Sequence, residues 1–261
     1  MEGGPLYANL QPRPDSDGKV ADRACVNKKV AVIIPAYNEE QRIGTVIRAV
    51  TRAVFPQEVI VVSDASSDRT ALVARAYPGV KVIELPFNTG KGGAMAAGAK
   101  ATDADIITFV DADLAGLRPD HIDLIIRPLL EDRCDMCIGV FRGGKFWSDT
   151  AQRISPYISG QRAIKRQLFD KMPFLSEMRM GVEVTINTYA KRNRAKVLRV
   201  VLRGVSNTYK ERKLGLMKGT AARVKMWTEI SRAIMRMNRK QKLRKPKIKN
   251  KKHLFSKRRA R

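Results

Sequence analysis

The chain has 261 residues, with 51 Lys plus Arg against 25 Asp plus Glu, for a net charge of +26. That length allows one large domain with a sizeable core, and the charge favours phosphate-bearing partners: nucleotide, nucleic acid or anionic lipid. Three cysteines cannot build a disulfide framework, and no apolar run approaches the roughly 18 to 20 residues that span a bilayer.

Residues 1–27 are rich in turn-forming residues and show no apolar stretch preceded by basic residues. They are expected to be a flexible segment without a signal peptide, and the protein to be cytoplasmic. "KKVAVIIPAYNEEQRIGTVIRAV" then opens with a β-branched run, turns at Pro35 and continues with apolar residues at Ile43, Val46, Ile47 and Val50. This predicts strand, loop and helix. "EVIVVSD" predicts a strand, "SSDRTALVARAY" a helix capped by Ser or Asp, and "VKVIEL" a third strand. After "NTGKGG" come an Ala-rich helix, the strand "DIITFVDAD", a helix from Pro119 to Leu130 and the strand "DMCIGV". Alternating strands and helices imply an α/β fold with a mostly parallel central sheet and helices on both faces. Ligands bind at the carboxyl ends of such strands, and here those ends carry "PAYNEE", "SDASSD", "PFNTGKGG" and "DADLAG".

The second half is less regular. "GVEVTINTYAKR" has helical spacing and "AKVLRVVLRGV" suits a late strand, while residues 141–156, with Gly143, Gly144 and Trp147, could form a flap. Within the segment 216–238, Val224, Trp227, Ile230, Ile234 and Met237 alternate with basic residues as a basic amphipathic helix. It would pack on the domain or lie on an anionic membrane. Residues 239–261 hold thirteen Lys or Arg and no acidic residue, the composition of a disordered basic tail.

The chemistry concentrates at the rim. Asp111 and Asp113, two apart on an extended chain, are expected to point the same way and to repel unless a cation lies between them or one is protonated. A hard divalent ion such as Mg²⁺ with oxygen ligands resolves that repulsion, substrate phosphates completing the shell. "NTGKGGA" lacks the spacing of a P-loop, but free backbone amides and the Lys91 ammonium could hold a diphosphate. Asp64 at the end of "VIVVSD" could accept a hydrogen bond from a base, or only cap the helix behind it. Cys134 and Cys137 form a CxxC within a buried strand and read as incidental thiols; His121 and His253 read as structural or solvated.

"VIIPAYNEE", "VVSDASSDRT", "NTGKGGAMAAGAKAT" and "ITFVDADL" together resemble the consecutive motifs of family 2 glycosyltransferases with the GT-A fold. "ISGQRAIKRQLF" and "GVEVTINTY" are similar to the dolichyl-phosphate-mannose-synthase-like and glucosyl-3-phosphoglycerate-synthase-like branches. The resemblance covers about residues 28 to 210 and sets the expected domain at 28–215. It implies a nucleotide-diphospho-sugar donor, with UDP preferred over GDP, and a lipid-phosphate or other anionic acceptor at the cytosolic membrane face. It also implies that Pro35, Ala36, Tyr37 and Glu39 line the nucleoside pocket, Asp64 binds the base and Lys91 contacts the diphosphate. Asp111 would lie near ribose and metal, and Asp113 would ligate Mg²⁺ or Mn²⁺ directly.

Glu183 is the acceptor-side candidate: a general base in an inverting enzyme, an orienting group if the acceptor is already an anionic phosphate, or a salt-bridged helix residue. Ser159, Gly160, Gln161 and Arg162 would form the acceptor wall, Arg162 gripping an anion by its fork or lying on a solvated helix. Relatives often place a metal- or diphosphate-binding His where this chain has Asn207, whose amide oxygen could ligate a hard ion. Two competing readings are a sugar-phosphate nucleotidyltransferase, which would need its glycine-rich loop after the first strand, and a nucleic-acid-binding protein. The second leaves the rim carboxylates without a purpose.

Overall fold

The computed structural model describes residues 28–142, 159–172, 178 and 181–207. The expected N-terminal segment, flap, amphipathic helix and basic tail therefore lie outside the described residues, apart from Phe141 and Arg142.

Strands β1 (Val30–Ala36), β2 (Glu58–Ser63), β3 (Val80–Glu84) and β4 (Ile106–Phe109) come from the expected apolar runs. Between them lie α1 (Ile43–Thr51), α2 (Thr70–Arg75) and α3 (Gly90–Lys100). The two-stranded ladder begins with β5 (Leu114–Ala115), followed by α4 (Pro119–Leu130) and β6 (Met136–Arg142). After β7 (Arg162–Lys165) come α5 (Arg166–Phe169), α6 (Val182–Arg192), β8 (Val197–Arg203) and β9 (Ser206–Asn207).

Seven strands form one sheet in the order β3-β2-β1-β4-β7-β6-β8. Strands β1 to β4 are mutually parallel, as are β6 and β8, but β7 is antiparallel to both its neighbours. The sheet is thus mostly parallel, as expected, with one reversed strand that the apolar pattern did not reveal.

Alternation along β1 divides the core in two. Val30, Val32 and Ile34 pack with Ile43, Val46 and Ile47 of α1 and Ile122, Ile125 and Ile126 of α4. Ile33 faces the other way, onto Ala94, Met95 and Ala99 of α3 and, in the same cluster, Val182 and Ile186 of α6. Each fully buried Val or Ile contributes about 1.5–3 kcal/mol, as an upper estimate. Helix α3 approaches β1 closely because Gly98 has no side chain: a Cβ there would lie 2.5 Å from Ile33 Cγ2.

The topology explains the convergence at one rim. Parallel strands end there, and a reversed strand begins there. In the β4–β7 register Phe109 faces Arg162, so residues two beyond Phe109 and two before Arg162, Asp111 and Gly160, are brought side by side. The short ladder pairs Leu114 with Asn207, which returns the chain to the Asp113 turn. Among the described residues, no helix is long and apolar enough to cross a membrane.

Candidate active site

Lys91 stands at the centre of the rim. From the first turn of α3 its Nζ lies 2.6 Å from Asp111 Oδ1 and 2.5 Å from Glu183 Oε1. Burial alone would push the ammonium's pKa down, but the two carboxylates outweigh it and hold the pKa above its ordinary value. Residues from the end of β4, the start of α3 and the start of α6 therefore meet around one charge. The three side chains are only partly exposed, at 28% for Lys91, 16% for Asp111 and 14% for Glu183, so the interaction is weakly screened.

The rest of Asp111's setting comes from the start of β7. Gln161 Nε2 donates to Asp111 Oδ2 at 2.9 Å, and Ser159 Oγ donates to the Gly139 carbonyl. Gly160 lies flat against the carboxylate, where a Cβ would overlap it. Gln161 and Arg162, expected on the acceptor wall or on a solvated helix, are fully buried at the start of β7. β7 lies in mid-sheet, Ala163 packing in the cluster that holds α4 and Ile164 in the one that holds α3 and α6, so its side chains point into packing rather than solvent.

Three further expectations change. Strand β4 stops at Phe109 and Ala112–Asp113 form a turn, so the two aspartates do not alternate along an extended chain. The amides of the glycine loop are not free: Thr89 N and Gly90 N donate to Asp64, at 2.7 and 2.8 Å, and Gly92 N donates to the Met178 carbonyl. Of the groups expected to meet a diphosphate, the Lys91 ammonium is the one at the rim, and it is paired with Asp111 and Glu183. The same bonds show that Asp64, 4% exposed, caps the start of α3 rather than the helix that directly follows it. A carboxylate complements the positive end of α3, and its oxygens are directed there rather than towards an open pocket.

Around the first loop, Tyr37 is half exposed, whereas Ala36 packs in the core and its carbonyl accepts from Asp64 N. Glu39 accepts from Arg42 at 3.3 Å and borders a shallow pocket with Asn38, Glu40, Gln41, Arg42 and Asp68. Pro35 is the partly exposed residue before Ala36. Away from the rim, Cys134 and Cys137 are buried beside each other, their hydrogen bond lowering the first thiol's pKa and raising the second's. His121 is structural: its Nδ1 accepts from Arg118 N at the start of α4.

Among the described residues, no group of three or more His, Cys, Asp or Glu is arranged to hold a metal alone. Asp111 and Asp113 still suit a hard divalent ion that takes its remaining ligands from substrate phosphates and water. Asn207 comes near through its backbone pairing; its side chain lies outside what is described. Sequence reasoning placed Ser159 on the acceptor wall, whereas its hydroxyl donates inward to the Gly139 carbonyl, and it missed Asn187. The latter, four residues after Glu183 and so on the same helix face, could have been found by that spacing.

The model of glycosyl transferase family 2 matches residues 31–187, from β1 into α6. The chain belongs to this family. Within family 2, 4,4'-diaponeurosporenoate glycosyltransferase of Staphylococcus aureus strain USA300 is 39% identical over 105 residues, 38% of this chain and 28% of that protein. Strain bovine RF122 has a relative of the same name, 38% identical over the same length. The match thus spans little more than a quarter of these curated relatives. Glucosyl-3-phosphoglycerate synthase from Mycobacterium tuberculosis, solved with Mn²⁺, UDP and glucosyl-3-phosphoglycerate, aligns with a TM-score of 0.62 and 26% identity. That alignment covers 75% of this chain and 77% of the synthase. The same synthase with Mg²⁺ and UDP aligns with a TM-score of 0.61, 26% identity and the same coverage. This member of family 2 has the GT-A fold.

Proposed function

We propose that this glycosyltransferase moves a hexose from a nucleotide-diphosphate sugar, with a UDP-sugar preferred, to a lipid phosphate or other anionic acceptor at the cytosolic face of a membrane. The observation that carries the reading is the meeting of Lys91, Asp111 and Glu183 at the carboxyl rim of the sheet. The similar mycobacterial synthase, solved with Mn²⁺, UDP-glucose and phosphoglyceric acid, supports both a UDP-sugar donor and an anionic acceptor.

Asp113 and Asp111 would hold Mg²⁺ or Mn²⁺, with Asn207 a further candidate. A bound divalent ion supplies Lewis-acid neutralisation of the departing diphosphate. Lys91 contributes a second positive charge there, exchanging a carboxylate for a phosphate oxygen when donor enters. Glu183 then faces the acceptor: it removes a hydroxyl proton in an inverting transfer, or orients an acceptor that is already an anionic phosphate. Pro35, Tyr37 and Glu39 border the nucleoside, while Asp64 keeps the lysine-bearing helix in place.

A thermal-shift screen of UDP-, GDP- and TDP-sugars with and without Mn²⁺ tests donor class and metal use together. Stabilisation by UDP-sugars only with metal is expected; no shift with any nucleotide would end the proposal. For the membrane part, deleting residues 239–261 should weaken binding to anionic liposomes and leave donor hydrolysis unchanged, each basic residue near the surface contributing about 1 kcal/mol. Lost hydrolysis with unaltered liposome binding would assign that segment to the site instead.

A further inference from the structure

Arg162 has no exposed surface and is among the largest fully buried side chains of the described residues. A guanidinium in such a place carries a desolvation cost that an apolar side chain of similar volume would not. Burial pushes its pKa down, and the charges of Glu183 and Asp111 oppose that shift. Its hydrogen bonds are directional. One terminal nitrogen donates to Asn187 Oδ1 at 3.1 Å and reaches the Glu183 carbonyl at 3.4 Å. The other donates to the Ser159 carbonyl, while Nε has no hydrogen-bond partner.

Those acceptors lie on the two sides of the proposed reaction. Ser159 precedes Gly160 and Gln161, which bear on the Asp111 carboxylate just before β7 begins. Glu183 and Asn187 occupy successive turns of one face of α6. The planar fork thus ties the support of the donor-side carboxylate to the backbone of the acceptor-side one, which a flexible ammonium could not do in fixed geometry. Lys91 joins the same two carboxylates from the partly exposed side, but it must leave to meet a diphosphate. Arg162 cannot leave.

We propose that Arg162 is a positioning residue that sets the separation of Asp111 and Glu183, and so keeps donor and acceptor sides in register after Lys91 has turned to the donor. This role rests on the proposed function above. A misplacement of about 1 Å in such a pair can cost about a hundredfold in rate.

The test uses Arg162→Met, Arg162→Lys, Glu183→Gln and the double variant Arg162→Met with Glu183→Gln. Hydrolysis of UDP-glucose with Mn²⁺, calorimetric affinity for UDP with Mn²⁺, and the unfolding midpoint are measured for each. Arg162→Met should lower kcat about a hundredfold and leave UDP affinity within about threefold. Arg162→Lys should not restore the rate. The double variant should be no slower than Glu183→Gln alone, because Arg162 acts through that residue.

Additive losses, wild-type rates in Arg162→Lys, or a raised KM at unchanged kcat would each overturn the role. So would a Glu183→Gln variant as fast as wild type. Should Arg162→Met not fold, Asn187→Ala decides, with an expected loss of about tenfold that vanishes in the Glu183→Gln background. A wild-type protein that neither binds UDP with Mn²⁺ nor hydrolyses UDP-glucose overturns the function itself, and this role with it. A defect confined to the variants' expected pattern leaves both standing.

Discussion

Strands β3, β2, β1 and β4 run in one direction, and the inner three bury near-continuous apolar runs, whereas the neighbouring half reverses at β7 and buries Gln161 and Arg162 among its apolar residues. The first half is held mainly by packing, with Ser63 and Thr108 the buried polar residues of its strands, and its rim carboxylates sit in loops beyond the strand ends. In the second half a polar network is part of the interior, each member holding another. The lesson is geometric. A parallel block delivers its last residues to the rim, and a single reversed strand delivers its first ones, so Gly160 and Gln161 arrive beside Asp111.

The sharpest way to break this contrast is at the end of the parallel block. Asp113→Ala should reduce metal-dependent donor turnover by about 10²–10³-fold and abolish the metal dependence of UDP binding in calorimetry. Equal UDP affinity in both proteins with Mn²⁺ present would show that the chemistry does not depend on that turn. At the joint between the halves, Gly160→Ala forces the Asp111 carboxylate to move, because its Cβ would occupy the same space. About 1–3 kcal/mol of stability should be lost, together with about tenfold in donor turnover, measured by chemical denaturation and initial rates. Lower stability at full turnover would mean that Asp111's position is not critical.

The smallest effect concerns His121, beneath the second half on α4. Burial lowers its pKa, opposed by Asp120 and assisted by Arg118, so the folded protein holds it neutral at a pH where the unfolded chain begins to protonate it. The unfolded state then binds more protons, and stability falls as pH drops below the unfolded value of about 6.5. The loss levels off below the depressed folded pKa. His121→Gln should therefore flatten the decline of the unfolding midpoint between pH 7 and pH 5. An identical decline in both proteins would assign it to other groups.

Much of the first half was legible because its signals are local. β-Branched runs of strand length, helical spacing at Ile43, Val46, Ile47 and Val50, and Pro119 at a helix start all act within one element. Lys91, Asp111 and Glu183 stood out as charges at motif positions. Their mutual contact did not, since 92 residues separate Lys91 from Glu183. Asp64 is the instructive miss: its carboxylate at a strand end suits base recognition or a local cap, and the choice of α3 followed from how β3 returns that helix to its side. Arg162 looked like an anion-binding residue because sequence gives its charge and not its depth.

The sequence by itself determined the elements of the parallel block, the family, and which side chains carry charge at the rim, because hydrophobic period and motif spacing are properties of neighbouring residues. Only the tertiary structure decided that β7 runs backwards, that the glycine-loop amides are already engaged, and that Gln161 and Arg162 lie inside. Strand direction and burial depend on pairings between residues far apart in the chain, whose free energy belongs to the assembled sheet and to no single segment.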